Sequence, residues 1–175
     1  MCIYPPTGIY NREDRCQDRS DDIVTVVNRP PMPLLYEAAI IKEAKKQVWA
    51  KDYSPFEKQW HLLRDDVVSF KPDMVVFNVT TPSFNDDMKT CEVVKKVNPE
   101  IIVIGRGAHF NIYHREALRT YYGLDVVIRE NWEETFRDLV VGKDIKEING
   151  ISYRINDKIY VNPCRPIICN LDSIT

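Results

Sequence analysis

Short runs that are apolar throughout alternate with longer stretches in which apolar residues recur every three or four positions. The runs at 74–77 and 101–104 contain no polar residue, the signature of strands covered on both faces. Further strands are expected at 3–4, stopped by Pro5 and Pro6, at 47–51, and at 125–128. Between them lie helical patterns. Leu34, Leu35, Ala38, Ile41 and Ala44 suit one helix face. Phe56, Trp60, Leu63, Val67 and Phe70 suit another, with Ser54 as N-cap and Pro55 as first helical residue. Phe84, Met88, Cys91, Val94 and Val97 form a third stripe, and Ala117, Leu118 and Tyr121 mark a short helix. Trp132, Phe136, Leu139 and Val140 mark the last, ended near Gly142.

Strand and helix alternate five times, with connections long enough for crossovers. The expected fold class is therefore α/β: a flavodoxin-like, Rossmann-like doubly wound parallel sheet of five strands in the order 2-1-3-4-5. A β-hairpin follows, with arms at 151–155 and 158–161 around Asn156 and Asp157. The expected division is an α/β domain at 1–149, the hairpin at 150–163 and a linker at 164–175. Residues 7–22 read as a polar excursion, and 23–27, β-branched throughout, as an extra extended segment.

Composition narrows the uses of such a fold. The 24 basic and 26 acidic side chains leave a net charge of −2, which argues against a bulk electrostatic grip on nucleic acid or anionic lipid. Apolar runs of strand length predict no membrane span, and the first residues do not read as a signal peptide. Five cysteines at irregular spacing suit a reducing cytoplasm better than a disulfide framework. Cys164 and Cys169 lack a matching second pair, so no metal site is expected. There is no Cys-x-x-x-Cys-x-x-Cys run.

In an open parallel sheet, ligands bind beyond the carboxyl ends of the strands, where the strand order reverses. Those ends carry Pro6, Thr7 and Gly8, then Thr80, Thr81, Pro82 and Ser83. Gly105, Arg106, Gly107, Ala108 and His109 follow the fourth strand, and Arg129 and Glu130 the fifth. Small residues and hydroxyls make a shallow, backbone-lined edge suited to a large, flat or phosphate-bearing ligand. Each feature also has a plainer reading. The two glycines serve a turn, and Thr80 to Ser83 cap the helix beginning near Phe84. His109 is a hydrogen-bonded structural histidine, and Trp132 is either core or a lip over the site. No nucleophile–base pair or acid–base carboxylate pair can be placed, so no catalytic residue is assigned.

Several segments resemble the N-terminal cobalamin-binding region of B12-dependent radical SAM enzymes. They are Tyr4-Pro5-Pro6-Thr7-Gly8-Ile9-Tyr10, Arg12-Glu13-Asp14-Arg15-Cys16-Gln17, Arg29-Pro30-Pro31-Met32 and Lys71-Pro72-Asp73. Val97-Asn98-Pro99-Glu100-Ile101, Gly105-Arg106-Gly107-Ala108-His109-Phe110, Gly150-Ile151-Ser152-Tyr153-Arg154 and Asn170-Leu171-Asp172-Ser173-Ile174 continue the match in order. The resemblance implies a corrin ring on the carboxyl edge, with its nucleotide tail in a cleft beside the glycine loop. The Asp-x-His-x-x-Gly motif of methionine-synthase-type domains is absent, which implies base-off cobalamin without a protein histidine on cobalt. Family members commonly carry Gly-Glu-x-Glu after the fifth strand, and Arg129 takes the place of the first glycine here.

In whole enzymes of this type, a methyltransferase or ring-forming enzyme for example, a 4Fe-4S cluster and S-adenosylmethionine occupy a following C-terminal radical SAM domain. The chain is thus expected to be a front domain without the catalytic half, which binds and presents cobalamin and catalyses nothing alone. A degenerate B12-like domain acting as a docking module is the alternative. A binder of a nucleotide or other phosphorylated ligand at the same edge is a third.

Overall fold

A computed structural model describes residues 1–10 and 30–166. The motif beginning at Arg12, the extended segment at 23–27, Cys16, Cys169 and the end of the linker lie outside the described residues. The strands are β1 (Cys2–Tyr4), β2 (Ala50–Asp52), β3 (Met74–Asn78), β4 (Ile102–Arg106), β5 (Val126–Ile128), β6 (Ile151–Ile155) and β7 (Lys158–Val161). The helices are α1 (Met32–Glu43), α2 (Trp60–Phe70), α3 (Phe84–Asp87), α4 (Lys89–Val97), α5 (His109–Thr120) and α6 (Trp132–Val141). The strands form one sheet in the order β2-β1-β3-β4-β5-β6-β7. The first five are parallel, in the order read from the pattern. The hairpin does not stand apart from them. β6 pairs antiparallel with β5 and β7 with β6, so the sheet has seven strands rather than five.

The continuous apolar runs divide by alternation, as the two-residue strand period requires. Val75, Phe77, Val103 and Val127 face one core beneath α2, α4 and α5, with Leu63, Val67, Val94, Ala117 and Leu118. Val76, Ile104, Val126 and Ile128 face the other beneath α1 and α6, with Leu34, Ile41, Phe136 and Leu139. Burying each large side chain of this kind contributes roughly 1.5–3 kcal/mol. No helix among the described residues is long and apolar enough to cross a membrane.

Four local expectations shift. β2 is Ala50–Asp52 rather than 47–51, because Cys2 pairs with Ala50 while Trp49, 38% exposed, packs on Phe70 at the rim. α2 begins at Trp60 rather than at Pro55. The Asp52 side chain accepts the Ser54 amide at 2.8 Å, folding 52–54 into an Asx turn that leaves Phe56 exposed. The third stripe is divided between α3 and α4. α5 is twelve residues long and starts at His109, directly on the glycine loop, with a kink at Tyr113. The hairpin turn is of the expected kind, with Asn156 and Asp157 both at positive φ (46° and 63°).

Candidate functional site

The strand order reverses between β1 and β3, and their carboxyl ends meet there. The residue that joins them is Asp87, fully buried at the end of α3. Its carboxylate accepts the Thr7 hydroxyl at 2.6 Å, the Ser83 hydroxyl at 2.5 Å and the Thr80 amide at 3.4 Å. Thr80 and Ser83 also share a hydrogen bond of 2.8 Å. The strand-end pattern suits these three hydroxyls to donate to a ligand, yet the structure turns all three inward. Ser83 is the N-cap of α3 by position but makes no side-chain cap. Pro6, Thr7 and Gly8 are buried, while Thr81 and Pro82 are exposed. The edge is thus pinned from below and offers small residues above.

Asp87→Ala is expected to lose about 2–3 kcal/mol, because hydrogen bonds to a charged acceptor are each strong and the donors stay buried. Asp87→Asn, which keeps the shape and one acceptor oxygen, is expected to recover about half of that loss. Urea denaturation of both variants checks this; equal losses would contradict the hub role.

At the end of β4, both glycines are required by the protein itself. A Cβ on Gly105 would lie 2.7 Å from the Phe110 ring, and one on Gly107 only 2.2 Å from the Val79 carbonyl oxygen. Gly107 also has φ +128°. Arg106 does not belong to the exposed edge: its guanidinium is ion-paired with Glu37 of α1, both side chains buried, and lies 4.2 Å from the Trp132 ring centroid. Burial pushes the Glu37 carboxyl above its usual range, and the Arg106 guanidinium in contact with it opposes that shift.

His109 opens α5 with its ring stacked between Phe84 (4.0 Å) and Tyr113 (4.8 Å) and its Nδ1 3.3 Å from the Thr81 hydroxyl. Partial burial lowers its pKa, and Glu116 partly opposes this. Arg129 turns away from the edge and ties the end of β5 to later chain, donating to the Ile151 and Asn162 carbonyls at 3.2 and 2.5 Å. Glu130 is exposed at φ 51°, and its amide donates to the Asn111 side chain at 2.8 Å.

The cleft beside the glycine loop, expected to take a nucleotide tail, is narrow among the described residues. Gly107, Ala108, Asn111, Glu130 and Trp132 enclose about 10 Å³ above Arg106, room for one water at most. A wider cleft of about 610 Å³, lined by Val67, Pro72, Asp73 and Ile101, opens at the amino end of the sheet, away from the switch point.

Glu37, Asp87 and Asn111 hold this edge in place, and pattern reading passes over them. Glu37 left a signal: it follows Leu34 by three positions and precedes Ile41 by four, on a stripe that is otherwise apolar.

Three comparisons bear on this edge. The family model described as B12 binding domain matches residues 29–140, well over half of the chain. An uncharacterized methyltransferase of Pyrococcus horikoshii is 30% identical over 149 residues, covering 83% of this chain and 32% of the relative. The anaerobic magnesium-protoporphyrin IX monomethyl ester cyclase of Rubrivivax gelatinosus is 29% identical over 121 residues, covering 65% and 22%. The chain therefore spans about a third or less of these relatives. Among solved structures, the radical S-adenosylmethionine methyltransferase TsrM from Kitasatospora setae, with cobalamin and a [4Fe-4S] cluster bound, superposes with a TM-score of 0.69 at 13% identity. That match covers 97% of this chain and 30% of the other, and at this identity it speaks for the fold.

Proposed function

Since the chain belongs to the B12-binding domain family, we propose that it holds cobalamin on the carboxyl edge of its sheet, as the cofactor-carrying part of a radical SAM enzyme. The observation that carries this reading is the small-residue edge at the switch point, held level by the buried Asp87. The residues there fit a broad ring with amide-bearing arms. Thr81, Pro82 and Ala108 leave room above the backbone, and the Thr81 hydroxyl, the Glu130 carboxylate and loop amides supply polar partners at the rim.

Bound cobalamin supplies a cobalt centre that carries a methyl group or assists a radical step. The chain's own part is to bind and orient it. The Asp87 hub fixes Thr7, Thr80 and Ser83, so the platform does not reorganise when a ring settles on it. We assign base-off cobalamin without a histidine on cobalt, because His109, the histidine at this edge, has its ring stacked against Phe84 and Tyr113. In this reading a 4Fe-4S cluster and S-adenosylmethionine belong to a C-terminal radical SAM domain; that the chain covers a third or less of its relatives' length supports a larger whole. A reducing cytoplasm suits Cys2 and Cys91, buried beneath opposite faces of the sheet.

Titration of the purified chain with hydroxocobalamin is expected to shift the corrin spectrum and to give co-elution on gel filtration. After reduction to cob(II)alamin, electron paramagnetic resonance is expected to show no nitrogen superhyperfine splitting from an axial base. An unchanged spectrum without co-elution would overturn cobalamin binding and favour a docking module. Nitrogen splitting would overturn the base-off, histidine-free assignment alone.

A further inference from the structure

We propose that residues 162–165 are a strap rather than a free linker, and that Arg129 is the positioning residue that holds it. The strap fixes, at the carboxyl end of the sheet, the point from which later chain departs. A following domain is thereby delivered to the side where cobalamin lies. The inference rests on the proposed function in one respect, that cobalamin occupies the carboxyl edge and a catalytic part follows.

The register of the sheet places the strap. Ile128 of β5 lies opposite Ile151, and Ser152 lies opposite Val161, so β7 ends beside the carboxyl end of β5. The residues that follow have no regular structure, yet they are tied on three sides. Arg129, 6% exposed, donates through one guanidinium nitrogen to the Ile151 and Asn162 carbonyls and through another to the Cys164 sulfur at 3.6 Å. The Asn162 side chain donates to the Ile145 and Ile148 carbonyls at 2.8 and 2.7 Å. The Gly150 amide donates to the Pro163 carbonyl at 2.8 Å. Arg165 donates to the Thr135 hydroxyl at 2.9 Å and is ion-paired with Asp138 of α6. Gly150 is part of the fit: it has φ +82°, and a Cβ there would lie 2.8 Å from the Thr135 hydroxyl oxygen and 3.5 Å from Arg165. The planar fork of an arginine serves all three of its acceptors from one backbone position, which a glycine at 129 could not. The gain is geometric. A free segment of about five residues spreads its ends over about 12 Å. A group to be transferred tolerates misplacement of only about 1 Å. Pinning the strap removes this contribution to the spread.

Nitrogen-15 relaxation of the 175-residue chain reads the strap directly. The Asn162, Cys164 and Arg165 amides are expected to show order parameters of about 0.85, as in regular backbone. In Arg129→Gly those of Cys164 and Arg165 are expected to fall below about 0.6. Amides of β4 are expected to stay unchanged in the same variant, which separates release of the strap from a general loss of stability. Arg129→Lys, with one compact ammonium in place of the fork, is expected to fall between the two. Arg165→Ala frees the strap from α6 alone and is expected to loosen 164 and 165 while Asn162 stays ordered; it keeps the proposal open to test should Arg129→Gly not fold. Order parameters below about 0.6 at Cys164 and Arg165 in the unaltered chain would overturn the proposal. So would unchanged values in both Arg129→Gly and Arg165→Ala. With cob(II)alamin added, its unpaired electron is expected to broaden the strap amides more than those of Asn98 and Glu100, which precede β4 at the opposite end of the sheet. Equal broadening would overturn the placement beside cobalamin. Failure of the corrinoid to bind would remove the cobalamin reading and the positioning role with it, while relaxation would still report whether the strap is held.

Discussion

Glu37→Ala is expected to destabilise the domain by about 3–5 kcal/mol, because it removes the buried carboxylate with which the Arg106 guanidinium is ion-paired. The pair joins α1 to the end of β4, and both side chains are almost wholly removed from solvent. Breaking a buried pair from one side costs far more than the pair contributes, since desolvation of the remaining charge is no longer offset. Replacing both partners, Glu37→Met with Arg106→Leu, is therefore expected to be neutral or stabilising by about 1–4 kcal/mol. Guanidinium denaturation at neutral pH measures all three proteins. A double variant as unstable as Glu37→Ala alone would show that packing of the long side chains, not their charge, is what the site requires.

Gly107→Ala carries the second large loss, about 4 kcal/mol, from strain at an unfavourable φ and overpacking together. At φ +128° an L side chain is strained whatever its surroundings, and here its Cβ would lie 2.2 Å from the Val79 carbonyl oxygen. Backbone cannot step aside as the end of a flexible side chain can. Gly142 is the internal comparison: it also has positive φ, at 80°, but nothing lies within 4 Å of its Cβ position. Gly142→Ala is expected to lose only about 1 kcal/mol, the backbone conformational cost alone. Thermal unfolding of the two variants separates strain from clash, and similar shifts would contradict the close approach at Gly107.

The parallel sheet is legible in the sequence because strands buried on both faces leave runs such as 74–77 that no amphipathic helix would tolerate. Its order follows from repeated crossovers. The antiparallel continuation is legible only as a hairpin, since pairing between Val127 and Ser152 is a tertiary fact with no local trace. The start of α5 is hidden because 109–116 is mostly polar and buries only Phe110. Phe56 misleads in the opposite sense: its spacing suits a helix, but the turn held by Asp52 prevails.

At the carboxyl edge, the pattern places residues along the strand ends but not the direction that their side chains take. Thr7, Thr80 and Ser83 are where the strand ends should place them, but their hydroxyls answer to Asp87. An aspartate early in a helix ordinarily reads as a partner of the helix dipole, so nothing in the pattern marks it as the centre of the network. Gly105 and Gly107 show the same limit, because open space for a ligand and space filled by Phe110 or Val79 leave the same letter in the sequence.

The position of β1 also sets the order in which the domain can assemble. Cys2 and Ile3 lie between β2 and β3, with Cys2 opposite both Ala50 and Val76. β1, the earliest of the described strands, is thus an interior strand, and neither of its neighbours exists until much later chain has been made. Closing such separations is entropically costly, so β1 is a late arrival in a sheet that β3 and β4 can begin without it. Until it docks, Met74–Asn78 carries an open, apolar, parallel edge, the surface on which a nascent chain most needs protection from its neighbours.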